Sequence, residues 1–479
     1  MPAARLILIE FNELCPSLLQ RFMADGIIPH FRRFYDSSTI YITDAGEEEP
    51  NLEPWIQWPT VHSGMPFAEH RLVHLGDGRR FEHKCVAELL SDAGVPVGVC
   101  GSMNLNYGQL NGYVLPDPWD KEGVPHPIWL RPFYQTIARQ VQDSSKESAG
   151  SKMELVRFGW FLLRNALSLG TASAILRQLW SERRDSGVRW RRAMLLDRLQ
   201  YDVFRRLNRR FGVRFATFFC NSTAHFQHYY WRNMEPEQFA VPPPVTDHAS
   251  LRNAILEGYQ AMDRLLARVF RDYPDAVLML CTALSQQPWI ETTKSTFRPR
   301  EFDAFLTFAG ISVNPSAVKP VMAEQFHVEC SSSQAALAAE TQLRDLAVGD
   351  ERLMSVRREG SSVFAGCRIT DPAALKQRVT RLSDGASRCF GELFYMIHTM
   401  RSGRHHPDGV LWVRTGRHEV IEEKMPLTDI APTILAHFGV EQPEYMRGRP
   451  LQDQESGVRS QGSGIRRQGA AIQKEAAVV

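Results

Sequence analysis

RLILIEFNELCPSLLQRFMADGIIP, Arg5–Pro29, reads as a buried strand running into a helix. Leu6 to Ile9 is a short aliphatic run without polar alternation, the pattern of a strand covered on both faces. Pro16 suits a first helical turn, Leu18, Leu19, Phe22 and Met23 share one side, and Gly26 closes the helix with Pro29 just beyond. The rhythm recurs. Lys84–Ala93 is helical by Val86, Leu89 and Leu90, Gly94 stops it, and Val95–Cys100 returns as strand. Val213–Cys220, Ala276–Cys281 and Val410–Val413 read as further buried strands, with a long amphipathic helix over Leu251–Phe270. LTDIAPTILAHFGV gives a last helix, with Thr428 or Asp429 as N-cap and Gly439 at its end. Alternating strands and helices with short turns predict an α/β fold, a mostly parallel central sheet with helices on both faces.

Two segments break the rhythm. Residues 124–212 read as a basic helical insertion or lid, and 292–400 as a small α+β insertion with a hairpin turning at Gly360. The α/β core then comprises 1–123, 213–291 and 401–451, and the 452–479 tail, poor in bulky apolar residues, is expected to be disordered. Hydrophobic content of 43% and charged content of 23% over 479 residues are those of a globular chain. No apolar run reaches the roughly 18 residues of a membrane span, no signal peptide is expected, and the eight cysteines are scattered without CxxC. Together these predict reduced thiols and a cytoplasmic protein. Net charge is +2, yet Trp129–Arg210 holds 17 Lys+Arg against 7 Asp+Glu. That block faces an anionic substrate, an acidic membrane surface reached peripherally, or only the acidic remainder of the chain. Nothing aromatic is interleaved there in the way nucleic acid requires, so no nucleic-acid partner is expected.

In open α/β sheets, ligands bind outside the carboxyl ends of the strands. There the sequence puts Glu10, Asn12 and Glu13; Asn104; Asn221, His225 and His228; Ser285, Gln286 and Gln287; and His405 with His406. The stretch EEEPNLEPWIQWPTVHSGMPFAEH, Glu47–His70, adds Glu53, Gln57 and His62 on a proline-stiffened frame, either a rigid connection or the frame of a site. His228 and His405, helped by His225 or His406, could hold one Zn²⁺; ordinary loop histidines are the plainer alternative.

The order of segments resembles the alkaline phosphatase superfamily, in particular its type I phosphodiesterase/nucleotide pyrophosphatase branch. The likeness is carried by LILIEFNELCPSLLQRFMADGIIPHFRRF, WPTVHSGMPFAEH, CNSTAHFQHYYWR, HHPDGVLWV and, most specifically, LTDIAPTILAHFGVEQPEYMRGRPL. It implies an anionic phosphorylated or sulfated substrate, glycan or lipid phosphate included, and two metals flanking a Thr or Ser nucleophile. Carried over residue by residue, the first metal-binding aspartate falls on Asn12, the nucleophile on Pro54 and a further metal-binding aspartate on Ala224. A metal-binding Ser-Asp-His-Gly falls on Thr282, Ala283, Leu284 and Ser285, while two histidines survive as His228 and His405. Neutral side chains cannot balance a second divalent cation. The expectation is one metal at most, on His228 and His405. Glu53 and His62 are the catalytic candidates, and Asn12, Gln57, Asn104, Asn221, His225, Gln286 and His406 the binding positions. The alternative is a pseudoenzyme that binds an anionic ligand or partner without turnover.

Overall fold

The computed structural model describes residues 3–120, 122–142, 152–165, 167–291, 295–312, 317–320, 324–397 and 401–451. The tail expected to be disordered, 452–479, lies outside them. The strands that matter for the site are β1 (Leu6–Phe11), β2 (Ser38–Asp44), β3 (Val97–Cys100), β4 (Gly112–Leu115) and β5 (Phe215–Cys220). They continue with β6 (Val277–Cys281), β7 (Ser285–Pro288), β8 (Gly403–His406), β9 (Asp408–Arg414) and β10 (Glu419–Pro426). The helices packed on them are α1 (Pro16–Ala24), α2 (Pro29–Tyr35), α3 (Pro54–Ser63), α4 (Val86–Asp92) and α5 (Leu169–Arg184). α6 (Arg192–Arg210), α7 (Ser222–Met234), α8 (Ala254–Asp272) and α9 (Ile430–Phe438) complete the set.

The α/β class read from the sequence stands. Eight strands form one sheet in the order β10-β2-β9-β6-β1-β5-β3-β4. β1 runs parallel to β5 and β6, and β3 to β4 and β5. β2 and β10 pair parallel, and only β9 is antiparallel to its neighbours. Periodicity did not mark β2, β4 or β10. β10 is a charged edge strand, EVIEEKMP, of the kind that blunts an edge against pairing with another chain. β4, at the other edge, is four residues long inside a Gly- and Asn-rich stretch. Its first residue must be glycine: φ is +147°, and a Cβ would sit 1.9 Å from the Val97 carbonyl oxygen.

β1 divides the core. Ile7, Ile9 and Phe11 enter the layer under α1, α6 and α8, and Leu6 and Leu8 the layer under α3, α4 and α9. A third cluster lies wholly between Phe297 and Phe394, over two four-stranded antiparallel sheets. It belongs to the segment read as a small α+β insertion.

α3 is the dense stretch of the sequence, and its character follows from being buried nearly all round. Pro54 occupies the first turn, where it forfeits no bond, and Gly64 ends the helix in the left-handed region at φ +64°. Pro59, inside the helix, cannot donate to the Trp55 carbonyl. Asn104 Nδ2 donates to that carbonyl instead, at 2.7 Å. Beyond α3, His70 is buried, with Nε2 at 3.1 Å from Thr60 Oγ1 and Nδ1 accepting the Leu72 N–H at 3.1 Å. Burial pushes His70 down to about 4. Between that value and the usual 6.5 the unfolded chain binds the extra proton, so stability falls as pH drops through this window. His70→Asn, which can still accept the Leu72 N–H, is expected to lessen that acid-side loss by up to about 3 kcal/mol. Urea unfolding of both proteins at pH 7 and pH 4.5 measures the difference; equal losses would refute it.

Candidate active site

Glu13 is the hub of the site, and it owes its position to the end of β1. The Asn12 N–H donates to the Cys220 carbonyl at 3.1 Å and the Glu13 N–H to the Thr282 carbonyl at 3.3 Å, clamping the chain between the ends of β5 and β6. Glu13 itself adopts a left-handed backbone, φ 58°, a sparsely populated conformation for a residue with a side chain. Its carboxylate is held by Asn12 Nδ2, donating to Oε1 at 2.7 Å, and by Gln286 Nε2, donating to Oε2. Asn12 in turn donates to Asn221 Oδ1 at 2.7 Å and accepts the Trp58 indole N–H at 2.8 Å, which ties the hub to α3.

Two imidazoles meet that carboxylate. His228 Nε2, from α7, is 3.0 Å from Glu13 Oε2, and His405 Nε2, from β8, is 3.3 Å from the same oxygen. β8 pairs antiparallel with β7, placing His405 opposite Gln286. The far side of His405 meets Glu53: Nδ1 is 3.5 Å from Glu53 Oε2. A proton on Nδ1 facing Glu53 leaves the Nε2 lone pair for the centre, the tautomer a metal ligand needs. Burial works to raise the Glu13 carboxyl, but His228 and His405 outweigh it and hold it well below its ordinary value. Burial disfavours charge on both rings. It prevails at His228, which is lowered, whereas the Glu13 and Glu53 charges prevail at His405, which is raised. Burial pushes Glu53 up to about 7, against the pull of His405 and Arg401.

The positions singled out from sequence therefore divide. Asn12, Asn221, Gln286, His228, His405 and Glu53 come together around Glu13. His62 does not: it points below the sheet edge, fully buried, with Nε2 at 2.7 Å from Glu10 Oε1 and Nδ1 at 3.2 Å from the Tyr107 hydroxyl. Asn104 braces α3 and the loop that follows it, accepting the Gly76 and Gly78 N–H groups. Gln57 donates to the Asn51 carbonyl at 3.2 Å, and its buried Oε1 has no partner. His225 is exposed beside Tyr229 and Tyr230. His406 turns to its own backbone and accepts the Asp408 N–H at 3.1 Å.

Two members were not singled out as site residues. Glu13 stood in the sequence beside Asn12, and one more residue of turn brings it to the centre. Arg401, hydrogen-bonded to Tyr229 and electrostatically coupled to Glu53, keeps a buried Nε without a partner. Its signal was its place four residues before His405.

The donor atoms of Glu13, His228 and His405 all lie within 4.8 Å of one another. One carboxylate and two imidazoles are an apt set for a single divalent ion with an open position. Among the described residues no other such group of three exists. At Ala224, Ala283 and Leu284, where the family resemblance would put further metal ligands, the side chains are buried and carry no donor atom. No family model matches the chain. No curated protein matches it either. Solved structures do. The chain is similar to murine ectonucleotide pyrophosphatase/phosphodiesterase 5, with 8% identity and TM-score 0.40 over 92% of this chain and 96% of that one. It is also similar to wild-type alkaline phosphatase PafA (12%, 0.40, 95% and 99%). Phosphonate monoester hydrolase SpPMH from Silicibacter pomeroyi gives 12%, 0.40, 95% and 77%. These likenesses span nearly the whole chain at identities and scores too low to bear on activity. No helix among the described residues is long and apolar enough to cross a membrane.

Proposed function

We propose that the chain is a divergent member of the alkaline phosphatase superfamily that hydrolyses an anionic phosphate or sulfate ester at a one-metal centre. The observation that carries this reading is the convergence of Glu13, His228 and His405 at the carboxyl edge of the sheet, within 4.8 Å. When bound there, a divalent ion supplies positive charge to an ester oxygen. The chain's own residues do the rest. Arg401, hydrogen-bonded to Tyr229, keeps its Nε without a partner and brings positive charge beside Glu53. Glu53, on the open side of His405, takes a proton from water or returns one to the leaving group. The first helical residue of α3 is Pro54, which has no hydroxyl, so water is the nucleophile in this scheme.

Pro54 also favours a second reading, a site that binds the anion without turning it over. The two separate on a panel of aryl phosphate monoesters, diesters and sulfates, assayed with Glu53→Gln and His228→Ala beside the wild type. Hydrolysis that falls about 100-fold or more in Glu53→Gln is expected, the usual share of a general acid–base group. Activity indifferent to both substitutions would sink the site assignment. Saturable binding of inorganic phosphate or sulfate with no turnover of any ester would favour the second reading.

A further inference from the structure

Away from the Glu13 cluster, α5, α6 and α8 border an open cavity of about 820 Å³. Seven arginines wall it: Arg177 from α5, Arg191, Arg198 and Arg205 from the α6 stretch, and Arg264, Arg268 and Arg271 from α8. The wall contains a single carboxylate, Glu257, and Arg191 holds it in a two-pronged pair at 2.7 and 2.6 Å. Two more carboxylates stand behind: Asp202 pairs with Arg268, and Asp272 is 3.9 Å from Arg205 and 3.3 Å from Arg271. Seven guanidinium groups against three carboxylates leave four positive charges. Arg177 and Arg264, both exposed, meet no carboxylate among the described residues. Arg268 Nη1 is buried without a partner, and Arg198 is pushed down by burial and by Arg268, Arg177 and Arg264 around it. An anion with several oxygens would relieve such crowding.

The outer face of α5 says which anion. Leu169, Ala172, Leu176, Leu179 and Trp180 recur at helical spacing and form one stripe. Four of them are large and open to solvent, Leu169 at 91%, Leu176 at 67%, Trp180 at 55% and Leu179 at 47% exposure. Arg177 lies about 100° round the helix from Leu176, between the stripe and the cavity whose wall it joins. Arg184 sits over the Trp180 ring at 3.3 Å. An apolar stripe flanked by arginines is the pattern of a helix lying in the plane of a bilayer surface. A free phosphate would have no use for the stripe.

We propose that the arginine-walled cavity between α5, α6 and α8 takes the phosphate-bearing headgroup of an acidic phospholipid while the apolar stripe of α5 rests in the bilayer surface. This membrane site shares no residue with the Glu13 cluster and stands or falls independently of the proposed hydrolysis.

The test is co-sedimentation of the full chain with vesicles of phosphatidylcholine alone and of phosphatidylcholine with phosphatidic acid. Wild type is expected to pellet only with the acidic vesicles, and less so as salt rises. Arg177→Gln/Arg264→Gln, both exposed and unpaired positions, is expected to bind about thirtyfold more weakly, near 1 kcal/mol per lost charge. Leu176→Ser/Trp180→Ser is expected to weaken vesicle binding at unchanged fold by circular dichroism. Equal pelleting with both vesicle types, or arginine variants that bind like wild type, would overturn the proposal. So would calorimetric binding of soluble glycerol phosphate without vesicle binding, which would point to a free phosphate ligand. Preference for a single-stranded RNA oligonucleotide over acidic vesicles would overturn it too.

Discussion

Glu13→Gln is expected to lower the affinity for a single zinc ion by more than about a hundredfold. Removing a residue that merely orients a metal ligand costs 10- to 100-fold, and Glu13 is placed to be the ligand itself. Among the described residues it also carries the only negative charge that both His228 and His405 approach, at 3.0 and 3.3 Å. With glutamine there, a divalent ion would sit between two neutral rings and an amide in a nearly buried position, its charge unbalanced. The substitution keeps the shape, so lost metal is not lost fold. Elemental analysis after zinc loading and gel filtration should give one equivalent per chain for wild type and near none for Glu13→Gln and His228→Ala. His225→Ala and His406→Ala, outside the cluster, should keep one. Two equivalents in the wild type, or an undiminished one in Glu13→Gln, would refute the one-metal centre.

Legibility in the sequence followed burial pattern. β1, β3, β5, β6 and β9 are short, largely buried apolar runs, aliphatic or aromatic, and hydrophobicity alone marks such strands. β10 has charged side chains because it is an edge, so its pairing, not its composition, makes it a strand. The site was legible as a place, because ligand-capable residues follow strand ends. It was less legible as a constellation, because which residue faces inward depends on a single backbone angle. Glu13 turns inward through its left-handed φ, a conformation no propensity assigns to glutamate. His405 and His406 show the same dependence: neighbours on a strand point to opposite sides, so only one enters the cluster. His62 misled for a different reason. An imidazole in a dense polar stretch looks the same whether it meets substrate or a buried carboxylate.

That carboxylate makes His62→Leu the most destabilising single change foreseen, about 3–5 kcal/mol of unfolding free energy. Glu10 lies on the α3 side of β1, fully buried, and His62 Nε2 meets its Oε1 at 2.7 Å. Ser102 donates to the other oxygen at 2.8 Å and is itself within 2.8 Å of Thr217 Oγ1, while Tyr107 closes the network on His62 Nδ1. Leucine fills the volume of the ring but strips Glu10 Oε1 of its partner, leaving a buried carboxylate with Ser102 alone. Adding Glu10→Gln to His62→Leu removes the stranded charge, and the double variant is expected to recover a large part of the loss. Coupling of that sign separates a buried hydrogen-bonded pair from two independent packing defects. Urea unfolding of wild type, both single variants and the double variant closes the cycle. Zinc stoichiometry measured on the folded fraction of His62→Leu should remain at the wild-type value, because His62 braces α3 against β1 without touching Glu13. Loss of zinc from well-folded His62→Leu would instead tie His62 to the Glu13 cluster.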